Sequence, residues 1–303
     1  MGNIASARVA RLSSITVIAL LVSCRGANGA HSEAPPAASP IDRQSREARE
    51  ARDHVTCGAE GTDGSMHWSG TGKAIEVRAQ NGAVHATPST DGTIDIVAKR
   101  RDGASHFTPA RLRVIERDGL VIACVVAAPH GRDDSEGRDD ADDERADHGD
   151  DECSDDGDTG EIELDVRVPK GVRFAGWTAN GAVEATHLDS DVEAHAQNGS
   201  IVVETTGVAR ASTVNGSIAA SIGAQKWDGT LTLETVNGRV RVELPGGVGA
   251  RLSAETVHGK IGIGVKLADA HVEETRVEGL IGGGGGKLRL RSVNGAIDLR
   301  AHN

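Results

Sequence analysis

Between residues 56 and 303 apolar and polar residues alternate with a period of two, the signature of half-buried β-strands. In "KAIEVRAQNGAVHATPSTDGTIDIVAKRR" Ile75 and Val77 fall on one face, as do Ile94 and Ile96. "RLRVIERDGLVIACVVAA" predicts two strands joined at Asp118-Gly119. "GEIELDVRVPKGVRF" predicts a strand pair with Ile162, Leu164, Val166 and Val168 on one face. The expected fold class is all-β.

Farther along, the alternation acquires punctuation. Dipeptides at one phase are Asn180-Gly181, Asn198-Gly199, Asn215-Gly216, Asn237-Gly238, His258-Gly259, Glu278-Gly279 and Asn294-Gly295, at spacings of 18, 17, 22, 21, 20 and 16 residues. Leu231, Leu233 and Thr235 precede Asn237-Gly238, and Val240, Val242 and Leu244 follow it. The same arrangement surrounds His258-Gly259 and Asn294-Gly295. Each unit is a half-buried strand, a two-residue corner and a second half-buried strand. A period near 20 residues signals a repeat architecture.

Two architectures fit such a unit. In an antiparallel meander or sandwich, each Asn-Gly closes a hairpin whose strands pair with each other. In a β-solenoid it turns a corner, and each strand pairs in parallel with its equivalent one coil away. Corner would then lie above corner, so the Asn side chains could hydrogen-bond as a ladder. His258 and Glu278 would interrupt that ladder.

The units "ANGAVEA", "QNGSIVVE", "VNGSIAAS", "VNGRVRVE" and "VNGAIDLR" resemble those of a bacterial adhesin-like family of unknown function. The resemblance covers 174–303 well and 56–303 loosely. It implies an exported protein with a right-handed parallel β-solenoid, and it supplies no catalytic residues.

Composition sharpens the picture of the core. There is no Tyr, only Phe107 and Phe174, and three tryptophans (Trp68, Trp177, Trp227) among 303 residues, while Gly reaches 39. Such a chain lines a thin interior with small and β-branched side chains.

The first residues predict targeting. Arg8 and Arg11 precede the apolar run Ile15–Val22, which is too short to span a bilayer and ends in Leu21-Val22-Ser23-Cys24. That ending resembles a bacterial lipobox. By this resemblance 1–23 is a lipoprotein signal peptide and Cys24 becomes a lipidated N-terminus. Two or more acyl chains would then hold the chain to a membrane. Arg25 rather than Asp follows the cysteine, which by the same resemblance points to the outer membrane. A plain secretory signal is the alternative. Residues 24–55, with "EAPPAASP" and "DRQSREAREARD", predict a flexible tether, with room for a short helix over 43–53.

Export implies an oxidising compartment, so cysteines are expected to pair. Beside Cys24 stand Cys57, Cys124 and Cys153. Cys124–Cys153 is the favoured bridge, closing about 30 residues for on the order of 3 kcal/mol. Cys57–Cys124 competes. No cysteine has paired zinc-ligand spacing.

Residues 133–158 hold 15 acidic residues against two arginines, a net of −13 that accounts for the −12 of the whole chain. An acidic, disordered insertion is expected over 131–160. Calcium binding is the sharper reading, but "DDGDTGEIELD" lacks the EF-hand order.

Candidate chemistry is sparse. "GLIGGGGGKL" (279–288) has Ile281 and Leu288 where a phosphate loop needs Gly and Ser or Thr, so a loop between coils is expected. The 12 histidines show no ligand spacing, and His187, His195, His258 and His271 are expected at surface or corner positions. Ser65 and Ser69, near His67 and Trp68, form no Gly-x-Ser-x-Gly elbow. Arg239, Arg241, Lys287, Arg289 and Arg291 occupy the outward phase of strands and could form a basic stripe for an anionic glycan. Nucleic acid is not an expected partner, because the chain is acidic and poor in aromatics. No cofactor or metal is expected. The sequence therefore predicts a non-enzymatic envelope lipoprotein with an adhesin-like domain, partnered by the membrane and by an envelope protein or glycan. The alternative is a glycan-active, polysaccharide-lyase-like enzyme on a β-helix.

Overall fold

The structure, a computed structural model, describes residues 54–60, 65–101, 110–127, 153 and 159–302. Expectations for the signal peptide, Cys24, nearly all of the tether and nearly all of the acidic insertion fall outside the described residues.

The described chain is all-β. It opens with β1 (His54–Cys57), β2 (Ala59–Glu60) and β3 (Met66–Gly70). There follow β4 (Ala74–Asn81), β5 (Val84–Pro88), β6 (Ile94–Arg100), β7 (Ala110–Arg117), β8 (Leu120–Ala127) and β9 (Ile162–Val168). The repeat region holds β10 (Arg173–Asn180), β11 (Val183–Leu188), β12 (Val192–Asn198) and β13 (Ile201–Thr205). It continues through β14 (Ala209–Asn215), β15 (Ile218–Ile222), β16 (Thr230–Asn237) and β17 (Val240–Pro245). Last come β18 (Ala250–His258), β19 (Ile261–Gly264), β20 (Leu267–Val272), β21 (Arg276–Ile281), β22 (Gly286–Asn294) and β23 (Ile297–His302).

From β8 to β20 successive strands alternate between two mostly parallel sheets. The first sheet runs β1-β7-β8-β4-β10-β12-β14-β16-β22-β18-β21-β20, and the second β19-β23-β17-β15-β13-β11-β5-β9-β6-β3-β2. The inner faces meet in one core cluster. In the middle it is lined by Ala211, Ile218, Ala220, Leu231, Leu233, Val240 and Val242, all buried. The scarcity of aromatics thus matches an interior filled by short side chains, and Phe174 is among its largest fully buried ones.

The Asn-Gly corners do not close hairpins. β10 pairs in parallel with β4 and β12, and β11 with β5 and β13, so the strands flanking each corner lie in different sheets. A genuine hairpin does form at Asp118-Gly119, where φ is 51° and 85° and β7 pairs antiparallel with β8. Two positive φ angles are what a two-residue primed turn requires. The corner asparagines are absent from the described non-glycine residues of positive φ.

What the corners do instead is stack. Asn180 donates to Asn81, Asn198 to Asn180, Asn215 to Asn198, Asn237 to Asn215 and Asn294 to Asn237, each Nδ2–Oδ1 distance being 2.8–2.9 Å. Beneath this ladder the glycines touch. A Cβ added to Gly216 would lie 2.0 Å from the Gly199 oxygen, and one on Gly238 2.0 Å from the Gly216 oxygen. Close approach, more than unusual φ, is what reserves these positions for glycine. A third element completes the corner. Thr178, Thr213, Thr235, Ser292 and Thr256, two residues before the corner, donate their hydroxyls to the carbonyls of Gly82, Gly199, Gly216, Gly238 and Gly295 at 2.8–3.0 Å. These hydroxyl-bearing residues are buried, so the bonds satisfy carbonyls turned away from water.

Three expectations need correction. Glu278-Gly279 is not a corner: both residues lie inside β21, which runs antiparallel to β18 and β20. β9 and β10 are not a pair, since β9 joins β5 and β6 in the second sheet while β10 lies in the first. The layers also depart from chain order. β22 and β23, last in sequence, lie between β16 and β18 and between β17 and β19. His258 therefore ends the corner row by pairing with Asn294 rather than interrupting it.

Candidate functional site

Parallel pairing in register converts a position along the strand into a row across the sheet. One outward row of the first sheet reads Arg113, Cys124, Arg78, Trp177, His195, Ser212, Glu234, Arg291, Glu255 and Arg276. The next row toward the corners ends in exposed valines: Val214, Val236 and Val257 are 38–48 % exposed. Between these rows, near β4, β10 and β12, lies a groove of about 790 Å³ lined by Arg78, Gln80, Trp177, His195, Gln197 and Ser212, with Val125 and Cys153 beside it.

The groove is organised around one aromatic pair. Trp177 and His195 stack with ring centroids 3.9 Å apart at 20°. Adjacent strands run about 4.8 Å apart, so side chains paired in register, as Trp177 and His195 are, can lean together and stack. His195 Nδ1 is 2.6 Å from Ser212 Oγ and Nε2 is 3.0 Å from Glu193 Oε1. Arg78 Nε donates to Glu76 Oε1 at 2.7 Å. Trp177 remains 39 % exposed, whereas Trp227 is buried and Trp68 packs against the core. The Cys124–Cys153 disulfide, Cα–Cα 5.8 Å, brings Cys153 to the groove wall. Cys57 is disulfide-bonded as well.

Serine, imidazole and carboxylate in a hydrogen-bonded line invite a nucleophilic reading. Acyl transfer also needs donors aimed at the developing oxyanion. The strand carrying Ser212 is bonded along both edges, to β12 and to β16. Its amides are committed to the sheet, and the line of groups serves to fix the imidazole in place. Local spacing could not reveal this line, because 17 residues separate His195 from Ser212. Only the repeat length of one layer brings them together.

The basic stripe is not a continuous cationic surface. Arg289 Nε lies 3.3 Å from Glu234 and Arg239 Nε 3.6 Å from Asp298. In register Arg291 stands between Glu234 and Glu255, and Arg241 opposite Asp298. Lys287 faces Arg251 and Thr230. The remaining histidines are dispersed: His187 lies 3.4 Å from Glu204, His271 lies 2.9 Å from Glu273, and His258 occupies the end corner. Ser65 Oγ and His67 Nε2 are 2.7 Å apart next to β3, with Trp68 turned to the core. The glycine run makes the loop between β21 and β22, where the Gly284 amide donates to the Ile281 carbonyl. Among the described residues no group of three or more His, Cys, Asp or Glu is placed to hold a metal ion.

No family model matches the chain, and no curated protein matches it. Two solved structures are similar. A candidate cell adhesion protein from Clostridium sporogenes shares 9% identity over 78% of this chain and 100% of its own, with a TM-score of 0.44. A candidate adhesin from Bacteroides fragilis shares 12% identity over 81% of this chain and 100% of its own, with a TM-score of 0.27.

Proposed function

We propose that this chain is an exported, lipid-anchored envelope protein whose β-domain, a right-handed parallel β-solenoid, works as a non-enzymatic, adhesin-like interaction module. The observation that carries the reading is the outward face of the first sheet. There a partly exposed tryptophan and a row of exposed valines sit on strands locked in register by the corner ladder. A rigid, repetitive face of this kind presents side chains at fixed spacing and loses little entropy on binding. The charged groups nearby are spent on one another, as in Arg289–Glu234 and Arg78–Glu76.

At the other end, the signal-like segment and Cys24 supply the anchor. A flexible tether of 24–55 would give a root-mean-square reach of roughly 30 Å from the membrane surface. The test is chemical, because one sulfur cannot carry both a thioether and a disulfide. Membrane-extracted protein, digested without reductant, should yield an N-terminal peptide with a diacylglyceryl group on Cys24, and Cys24→Ser should abolish palmitate labelling and release the chain. A Cys24 peptide cross-linked to the Cys57 peptide, with membrane association unchanged in Cys24→Ser, overturns the anchor.

A further inference from the structure

We propose that the groove beside Trp177 is a binding site for a neutral saccharide. This deepens the preceding reading by naming a ligand class for the interaction face, and it rests on that reading for its place at the cell surface.

One face of the Trp177 indole is covered by His195, and the ring is still 39 % exposed in a chain that otherwise keeps its tryptophans inward. The negative face of an indole attracts polarised C–H groups as well as cations. A pyranose offers such C–H groups on one face and hydroxyls around its rim. Those hydroxyls both donate and accept, and the groove supplies side chains that do the same. Gln80 and Gln197 lie in the corner-side row, flanking Ala179 on β10, and each amide carries two donors and an acceptor. Neither amide has a hydrogen-bond partner among the described residues. Ala179 between them leaves the floor low, since a larger side chain there would fill the space that the groove occupies.

Charge decides the class of saccharide. Among the described residues, the two ionisable groups of the lining already face partners: Arg78 is held by Glu76 at 2.7 Å, and His195 lies 3.0 Å from Glu193. An anionic glycan would have to displace a carboxylate to reach either of them. A neutral sugar needs no such exchange. At about 790 Å³ the groove is in the size range of small-ligand sites and would accept one or two rings. The site is also preorganised. His195 is fixed from both ring nitrogens, Trp177 is stacked on it, and the strands beneath are tied in register.

The experiment uses the full chain with three probes: neutral oligosaccharides (gluco-, manno- and N-acetylchito-hexaoses), a polyuronate, and whole cells before and after periodate oxidation. Binding is read by tryptophan fluorescence and by calorimetry. The expected result is binding of at least one neutral series, weakened tenfold or more in Trp177→Ala and largely retained in Trp177→Phe. Val272→Ala, exposed on β20 at the far edge of the same sheet, should bind as the parent does, and circular dichroism checks that each variant folds. Binding of the polyuronate alone, binding indifferent to Trp177→Ala, or no neutral binding at millimolar sugar overturns the proposal. Cell binding that survives periodate yet depends on Trp177 also overturns it, while leaving the interaction-module reading intact. Failure of the parent protein to bind untreated cells removes that reading instead.

Discussion

Replacing Gly216 by alanine tests whether the corners hold the layers in register. The added methyl would lie 2.0 Å from the Gly199 oxygen and 2.5 Å from its carbonyl carbon, where ordinary contact begins at 3.4 Å. The two layers must then separate locally by roughly 1.4 Å, because a rigid backbone rather than a flexible side chain blocks the methyl. Besides a long contact from the Ser217 amide to the Ser200 hydroxyl at 3.4 Å, four hydrogen bonds cross the gap at that point, one of them from the Thr213 hydroxyl to the Gly199 carbonyl at 2.9 Å. The Gly199 amide donates to the Asn215 carbonyl at 3.0 Å and the Ile201 amide to the Ser217 carbonyl at 2.9 Å. Asn215 Nδ2 donates to Asn198 Oδ1 at 2.8 Å. A separation of that size carries each past the range in which a hydrogen bond holds. At about 1 kcal/mol apiece the loss is about 4 kcal/mol, just beyond ordinary overpacking.

For a domain of this size the melting temperature should fall by roughly 8–16 °C. The matched control is Gly246→Ala, where an added Cβ meets nothing within 4 Å. That change should stay within about 0.5 kcal/mol. Thermal and urea unfolding of both variants, followed by circular dichroism, supply the comparison. If Gly216→Ala melts no lower than Gly246→Ala, the glycine stack is incidental and the corner argument is wrong.

Other consequences can be checked alongside. Thr235→Val keeps the shape of a buried side chain but removes its 2.8 Å bond to the Gly216 carbonyl, so the urea midpoint should drop by about 1–2 kcal/mol of stability, with Thr235→Ser nearly silent. Reducing the Cys124–Cys153 bridge, or replacing both cysteines by serine, should cost about 3–4 kcal/mol by the chain-entropy relation for a separation of 29 residues; an unchanged midpoint would contradict it. Ending the chain before Gly286 removes β22 and β23 from the interior of both sheets, so 250–281 should become susceptible to protease, whereas loss of a mere end layer would leave it resistant. Asp91 accepts hydrogen bonds from the Thr93 and Ser89 hydroxyls and the Thr93 amide, which hold its pKa at about 2. Because the folded value is depressed, its contribution is present above the unfolded value near 4 and is lost as pH falls through about 2. A carboxyl NMR titration should show that inflection move up in Thr93→Val.

How far the sequence reaches depends on which interactions carry a local trace. The strands were legible because alternation exposes one face per strand, and the buried positions Leu231, Leu233, Val240 and Val242 are those the pattern marks. The corners were legible as corners, but a dipeptide alone does not choose between turning back and turning on. Asp118-Gly119 and Asn215-Gly216 carry the same hairpin signal and fold differently. Asn215-Gly216 has the Thr213 hydroxyl two residues upstream and a glycine carbonyl one layer away to receive it; Thr or Ser holds that place at four of the six asparagine corners, and Ala79 and Ala196 hold it at Asn81 and Asn198. The first corner, Asn81-Gly82, stands outside the regular spacing because β6 to β9 intervene before Asn180, although "AQNG" stands at both 79–82 and 196–199.

Layer order left no trace at all, and the reason is the same regularity that made the repeats visible. Every unit offers the next one an equivalent face, a corner glycine and a polar corner side chain. The alternation is therefore satisfied equally whether β16 receives β18 or β22. The groove inherits this dependence. Trp177 meets His195, and His195 meets Ser212, only because β10, β12 and β14 happen to stack in chain order with no offset. A layer slipped by one residue would turn these side chains to the core and bring their apolar neighbours out. The corner ladder that fixes register is thus the device that assembles the binding face. The Gly216→Ala strain should be felt in the groove as well as in the melting curve, since Ser212 lies on the strand that Gly216 terminates.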